Sequence, residues 1–293
     1  MNQGVGMFRI QDNNGQNIYV NGRICEFSKY SGVDDSPFDF NMDFSEPIIY
    51  EVIRFIDGQG VFFKDHYDRF CNSLKLAGIK NVISCDDMKK ACIDVLEANM
   101  MKNNNLKLMY AMKKDTDEPI CLIYASKSFY PDEKYYSNGV AVAVLDIERP
   151  TPNAKISRKD YIDRVTSYRT NKGVFEVLLK NNKGKLTEGS RSNLFFIKDN
   201  IVYTAPKDLV LEGVMRKHVF EVCDNKEIII DDTNLVDFND LSGMDAAFLT
   251  GTSINVLPIS TVEDSISYDT KNPVLLKIIK GFEERIIEEW QMK

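Results

Sequence analysis

The residues most able to do chemistry in this chain are a carboxylate and an amine beside apolar segments. Glu188 precedes the apolar run at 194–197, which has the composition of a buried strand. A carboxylate at the head of such a strand is costly unless a cation pairs with it. Lys155 lies between a proline-ended strand and a helix, and an amine held away from water becomes nucleophilic toward aldehydes.

Two further stretches offer backbone N–H groups to an anion. Val214 and Met215 follow a glycine where a helix is predicted to begin, and Thr252 and Ser253 follow Gly251 after a predicted strand. Such N–H groups bind phosphate. An amine, an acid for a protonated ring nitrogen and two phosphate cradles together suit pyridoxal 5′-phosphate (PLP). Each also has a plainer interpretation, as a solvated lysine, a structural ion pair and ordinary turns or N-caps.

Composition narrows the class of protein. A length of 293 residues favours two modest domains or one large one. The net charge of −7 argues against a nucleic-acid surface, and two histidines argue against a metal site. No apolar run approaches about 20 residues, so no membrane span is expected. Six cysteines without a CxxC pair, and a start unlike a signal peptide, predict reduced thiols and a cytoplasmic protein.

The order of predicted elements indicates an α+β fold in two domains. Residues 1–128 form the predicted N-terminal α+β domain, in which 1–45 has the pattern of an edge hairpin and an irregular segment. The polar, proline-containing stretch 129–137 is the predicted linker. Residues 138–293 form the predicted C-terminal domain, which carries the cofactor-binding motifs.

Helices are predicted where apolar residues recur three or four positions apart. After a short strand expected at 61–63, Asp65 is predicted to cap a helix that ends near Gly78. A later helix is predicted from Arg158. Its residues expected to face inward are Ile162, Val165 and Tyr168.

A series of motifs resembles the class IV aminotransferases, the fold-type IV PLP enzymes. The motifs are YEVIR at 50–54, HYDR at 66–69, NAK at 153–155, FEVLL at 175–179, LTEGSRSNLFF at 186–196, VYTAP at 202–206, VLEGVMR at 210–216 and AFLTGTS at 247–253. The family includes branched-chain and D-amino-acid aminotransferases and aminodeoxychorismate lyase. The resemblance covers roughly 45–262 and implies a smaller N-terminal α/β domain, a larger C-terminal β-barrel-like domain with helices, and a homodimer.

Carried over by position, the resemblance implies roles for single residues. Lys155 matches the Schiff-base lysine that also moves the substrate proton, and Arg69 matches the arginine that grips the phosphate. Glu188 matches the carboxylate on the pyridine nitrogen, so we expect its partner to be the cofactor and not a side chain. The matching phosphate-binding positions are Val214, Met215, Thr252 and Ser253. Lys159 competes with Lys155, but the spacing back from Gly173 and the Asn-Ala-Lys context favour Lys155.

The sequence leaves several substrate contacts and reactions open. Many relatives place an arginine in the strand at 106–112, where this chain has Lys107 and Tyr110. Together with Tyr50, these two residues are the candidate substrate contacts. They could equally be ordinary strand residues. Transamination between an amino acid and a 2-keto acid is the first hypothesis, and Glu51 fits aminotransferase members. Aminodeoxychorismate lyase, which releases pyruvate and 4-aminobenzoate, is the second, and a catalytically silent relative the third.

Overall fold

The structure is a computed structural model that describes residues 12–27, 44–81, 83–113 and 116–291. The chain divides into two compact units. The first comprises the chain up to Phe129 together with Ala154–Lys159, and the second comprises Tyr130–Asn153 and Asp160–Lys293. The predicted domain limits stay a prediction, but Ala154–Lys159, placed by sequence in the C-terminal domain, groups with the first unit because it pairs with a strand there.

The described residues form groups of consecutive strands separated by helices. The strands are β1 Asn17–Val20, β2 Arg23–Glu26, β3 Phe44–Ile56, β4 Gln59–Gly60, β5 Asn104–Lys113, β6 Pro119–Ser126, β7 Val140–Asp146, β8 Ile156–Ser157, β9 Glu176–Lys180, β10 Leu186–Gly189, β11 Asn193–Lys198, β12 Ile201–Thr204, β13 Ile230–Asp231, β14 Ala246–Gly251, β15 Asn255–Val262 and β16 Ile266–Ser267. The helices are α1 Phe63–Leu76, α2 Cys85–Ala98, α3 Glu133–Asn138, α4 Lys159–Lys172, α5 Val214–Asn225 and α6 Pro273–Gln291.

The first unit is an antiparallel sheet with two helices on one face. The strand order is β2-β1-β6-β5-β3-β4, and β8 pairs with β3. Helices α1 and α2 bury their apolar stripes against this sheet around Phe70, Met88 and Leu108. The opposite face carries a second cluster around Met109 and Leu122. The alternation along β5 therefore sends successive side chains to different surroundings.

The second unit is a mixed sheet in the order β10-β9-β7-β15-β14-β11-β12-β13, with β16 paired to β15. Strand β7 runs parallel to β9 and to β15, whereas β11, β14 and β15 pair antiparallel. The rings of Phe195 and Phe248 stack at 4.7 Å on facing positions of β11 and β14. The continuous apolar segments that the sequence predicts as strands are therefore buried strands of this sheet.

Several local predictions differ from the structure. The strand expected at 61–63 is absent, because Phe62 takes a left-handed φ of 50° and α1 begins at Phe63, ahead of Asp65. Ile162 is 43% exposed, and Val165 is the buried residue of α4. The expected edge hairpin is confirmed at β1 and β2, while the rest of 1–45, apart from residues 12–27 and the start of β3, lies outside the described residues.

No helix among the described residues combines the length and the apolar character needed to cross a membrane.

Candidate functional site

Lys155 is anchored at its backbone beside the edge of β3. Its carbonyl accepts a hydrogen bond from Tyr50 N at 3.1 Å, and its N–H donates to Ser73 Oγ of α1 at 3.1 Å. The side chain is half-buried, and Nζ lies 4.6 Å from the centroid of the Tyr50 ring. Lys159, the competing lysine, is the exposed first residue of α4. Lys155 is therefore the less exposed of the two lysines.

Arg69 belongs to a buried charge cluster that the sequence analysis did not find. Its Nε donates to Glu51 Oε2 at 2.9 Å and its Nη2 to Oε1 at 2.5 Å. His66 Nδ1 lies 3.1 Å from the same Oε1, and Val52 N donates to it at 2.9 Å. Glu51 and His66 are fully buried. The sequence feature that could have indicated this cluster is the three-residue spacing of His66 and Arg69, which places both on one helix face.

The pKa values of this cluster follow from burial and charge. Burial alone would raise the pKa of Glu51, but the charge of Arg69 and hydrogen bonds from His66 and Arg69 outweigh it and hold the pKa well below the ordinary 4.5. Burial lowers the pKa of His66 below 6.5, against the opposing effect of Glu51, and the charges of Arg69 and Lys155 lower it further. Glu51 is therefore an anion and His66 a neutral ring at pH 7.

Glu188 on β10 has a side-chain partner, contrary to our expectation. Arg149 Nε donates to Glu188 Oε1 at 2.6 Å, and Leu211 N donates to Oε2 at 3.2 Å. Arg149 Nη2 also donates to Ser190 O at 2.8 Å, and its guanidinium lies 5.3 Å from the ring of Tyr161. Only 2% of Glu188 is exposed, so a nearby cation is what makes its burial tolerable. An arginine preceding a proline was too weak a sequence signal to identify this partner.

The turn after Glu188 is organised by a second buried carboxylate, Glu176. Its Oε1 accepts from Ser190 Oγ at 2.5 Å and from Val177 N at 2.8 Å. Its Oε2 accepts from Ser192 Oγ at 3.2 Å and from Arg191 N at 3.3 Å. The side chain of Arg191, whose role the sequence left open, is exposed. Its backbone therefore helps to shape the turn.

The predicted phosphate-binding positions lie at a helix start and in a turn. Val214 and Met215 are the buried first residues of α5, and the N-cap Gly213 provides no side-chain cap. A Cβ on Gly213 would lie 1.9 Å from Asn193 Oδ1, so a larger residue there would displace the Asn193 side chain, whose Nδ2 donates to Leu211 O at 2.8 Å. The half-buried Thr252 and Ser253 form the turn between β14 and β15.

The three candidate substrate contacts fall on two faces of the first unit's sheet. Tyr50 and Lys107 share one face, with Lys107 Nζ 5.7 Å from the Tyr50 ring centroid and 3.0 Å from Asp12 Oδ2. Tyr110 is fully buried on the helix-bearing face, and its hydroxyl donates to Lys80 O at 3.2 Å. The geometry therefore favours the plainer interpretation of Tyr110 as a core residue.

Removing the guanidinium beside Glu188 tests how strongly the second unit depends on that pair. We expect Arg149→Met to lower the free energy of unfolding, measured by urea denaturation, by about 3–5 kcal/mol, because it leaves a buried carboxylate without its cation. Lys172→Met is the matched control, since it breaks the ion pair with Glu263 at 3.2 Å, where the Lys172 side chain is 45% exposed. The control should change stability little. Equal effects of both variants would contradict the expectation.

The buried cluster around Glu51 makes stability depend on pH. The unfolded chain takes up a proton on His66 as pH falls through about 6.5 and on Glu51 as it falls through about 4.5, before the folded chain does. The free energy of unfolding should therefore decrease as pH is lowered from about 7 to about 4. His66→Asn should flatten the part of the curve above about pH 5 in urea titrations. Parallel curves for the two proteins would refute this role of His66.

Comparisons with known proteins identify the family of the chain. The family model described as amino-transferase class IV matches residues 48–262. D-alanine aminotransferase of Bacillus licheniformis is 24% identical over 284 residues, which cover 93% of this chain and 98% of the relative. A putative branched-chain-amino-acid aminotransferase of Methanocaldococcus jannaschii is 23% identical over 289 residues, covering 94% and 98%.

Solved structures show the same fold. The branched-chain amino acid aminotransferase of Escherichia coli has a TM-score of 0.80 at 20% identity, covering 94% of this chain and 96% of that one. A putative 4-amino-4-deoxychorismate lyase of Legionella pneumophila has a TM-score of 0.73 at 19% identity, covering 81% and 91%. The predicted fold-type IV, mixed α+β architecture is confirmed. Because the family model spans most of its length, the chain belongs to the amino-transferase class IV family.

Proposed function

We propose that this class IV chain is a PLP-dependent aminotransferase that moves an amino group between an amino acid and a 2-keto acid. The observation that carries the proposal is the placement of Lys155. It is half-buried and is held at both its backbone N–H and its carbonyl. An amine presented in this way suits covalent attachment of an aldehyde cofactor.

The donor set fits PLP group by group. The primary amine of Lys155 suits the carbonyl carbon, the buried anion Glu188 suits the protonated ring nitrogen, and the guanidinium of Arg69 suits the phosphate. Backbone N–H groups at the start of α5, from Val214 and Met215, suit the same phosphate. Thr252 and Ser253, in the turn after β14, are the proposed second cradle.

Each of these residues has a distinct task in the proposed reaction. When bound, PLP supplies the electron sink that stabilises negative charge at the substrate Cα. Lys155 Nζ would take the proton from that carbon as general base and deliver it to the cofactor C4′ as general acid. Glu188, kept anionic beside Arg149, holds the proton on the ring nitrogen. Arg69 and the α5 backbone hold the phosphate end in place.

Tyr50 and Lys107 are the proposed contacts for the carboxylate shared by amino acid and keto acid. Lys107 offers a point charge where an arginine would offer a fork, and Asp12 at 3.0 Å offsets part of that charge. By resemblance we further propose a homodimer, and from composition a cytoplasmic location.

The assignment of the amine makes a spectroscopic prediction. Purified wild-type protein with cofactor should show the visible absorbance band of a lysine-linked cofactor, and Lys155→Ala should abolish it. Lys159→Ala is the matched control, and it should keep the band because this lysine is exposed at the start of α4. The reverse pattern would exclude Lys155 and reassign the role to Lys159.

The reaction itself is tested by separating its two halves. We expect an amino acid donor, added without a keto acid, to bleach the band, and a 2-keto acid added afterwards to restore it. A screen of L- and D-amino acids against several keto acids then identifies the pair. Release of pyruvate from aminodeoxychorismate, with no bleaching by any amino acid, would identify a lyase and overturn transamination. No response in either assay would indicate a silent relative.

A further inference from the structure

The ion pair between Glu51 and Arg69 is more costly than the fold of the first unit requires. Both groups are removed from water, with Glu51 fully buried and the Arg69 side chain 11% exposed. A buried ion pair adds little stability compared with apolar residues of similar volume, because desolvation offsets most of the attraction. Stability is therefore a weak reason to place this pair between β3 and α1.

The geometry of the pair fixes the direction of the guanidinium. Both hydrogen bonds use the edge formed by Nε and Nη2, one to each carboxylate oxygen. Two parallel hydrogen bonds between planar groups hold the guanidinium in one plane and one orientation. The direction of the opposite edge of Arg69 is thus set by Glu51.

Glu51 is itself held in place. Val52 N and His66 Nδ1 both contact Oε1, at 2.9 and 3.1 Å, so the carboxylate is constrained from its own strand and from α1. His66 is fully buried, and its Nε2 has no hydrogen-bond partner among the described residues. Val52 and His66 therefore fix the Glu51 carboxylate, which in turn holds Arg69 in one orientation.

The same turn of α1 also positions the backbone of Lys155, the lysine proposed to bind the cofactor. Ser73 Oγ donates to the carbonyl of Arg69 at 3.0 Å and accepts from the N–H of Lys155 at 3.1 Å. One serine therefore ties the backbones of Arg69 and Lys155 together. Because α1 is tied to Lys155 in this way, a shift of the helix cannot easily restore the position of the guanidinium if Arg69 changes its orientation.

We propose that Glu51 is the positioning residue that aims Arg69 at the cofactor phosphate, with His66 as its support. This inference rests on the proposed function, in which Arg69 binds that phosphate. Glu51 then contributes to the affinity for the phosphate group through Arg69, without contacting the substrate.

The test compares a ligand that carries the phosphate with one that lacks it. The full chain, stripped of cofactor, is titrated with PLP and with pyridoxal, and the dissociation constants are measured by absorbance. Wild type should prefer PLP strongly. Glu51→Gln keeps the side-chain volume but loses the charge, and should weaken PLP binding by about tenfold while pyridoxal binding stays within about twofold.

Two further variants complete the design. Glu118→Gln is the matched control on the same unit, since Glu118 is 63% exposed and pairs with Lys113, and it should leave both affinities unchanged. Arg69→Lys keeps the charge but loses the fork, and should reduce the preference for PLP as Glu51→Gln does. If Glu51→Gln does not fold, Glu51→Asp, which keeps the charge but shortens the side chain that aligns Arg69, should reduce the preference for PLP in the same way.

The outcomes separate this inference from the proposed function. A wild type that prefers PLP, with Glu51→Gln keeping the full preference and Arg69→Lys losing it, would overturn the positioning role alone. Equal weakening of PLP and pyridoxal in Glu51→Gln would show a general structural defect and also overturn it. A wild type with no preference for PLP would overturn the proposed function together with this inference.

Discussion

The bidentate contact between Glu51 and Arg69 is the interaction on which the proposed chemistry of the first unit depends. It joins strand β3 to α1, and both groups are withdrawn from water. Buried charges persist only where their hydrogen-bonding capacity is met with good geometry, so the positions of β3 and α1 are coupled through this pair. The backbone of Lys155 contacts both elements and is placed by the same arrangement.

The second unit uses the same principle with different partners. Glu188 is paired with Arg149, while Glu176 accepts hydrogen bonds from hydroxyl and backbone donors and forms no ion pair among the described residues. One carboxylate thus lies beside a permanent cation and the other shapes the turn that follows. Two buried acids close together in sequence have different roles because their partners differ, and the difference comes from loops that fold back onto the sheet.

Elements with a strong apolar period were predictable. The spacing of Phe70 and Leu74 identified α1, and the apolar runs around Phe195 and Phe248 identified strands of the second unit. Predictions failed where tertiary packing overrode local preference. The three apolar residues 61–63 suggested a strand, but all are buried at a bend where Phe62 adopts a left-handed conformation. Ile162 follows the apolar period of α4 and still lies exposed.

The sequence alone correctly predicted the family and the fold class, because motif order and apolar period are local properties of the chain. It singled out Lys155, Arg69 and Glu188. The partners of these side chains became visible only in the folded chain, where Glu51 contacts Arg69 and Arg149 pairs with Glu188. The same holds for the burial of Tyr110 in the core. Pairing of buried charges depends on contacts between residues far apart in sequence, and no local pattern specifies which cation meets which carboxylate.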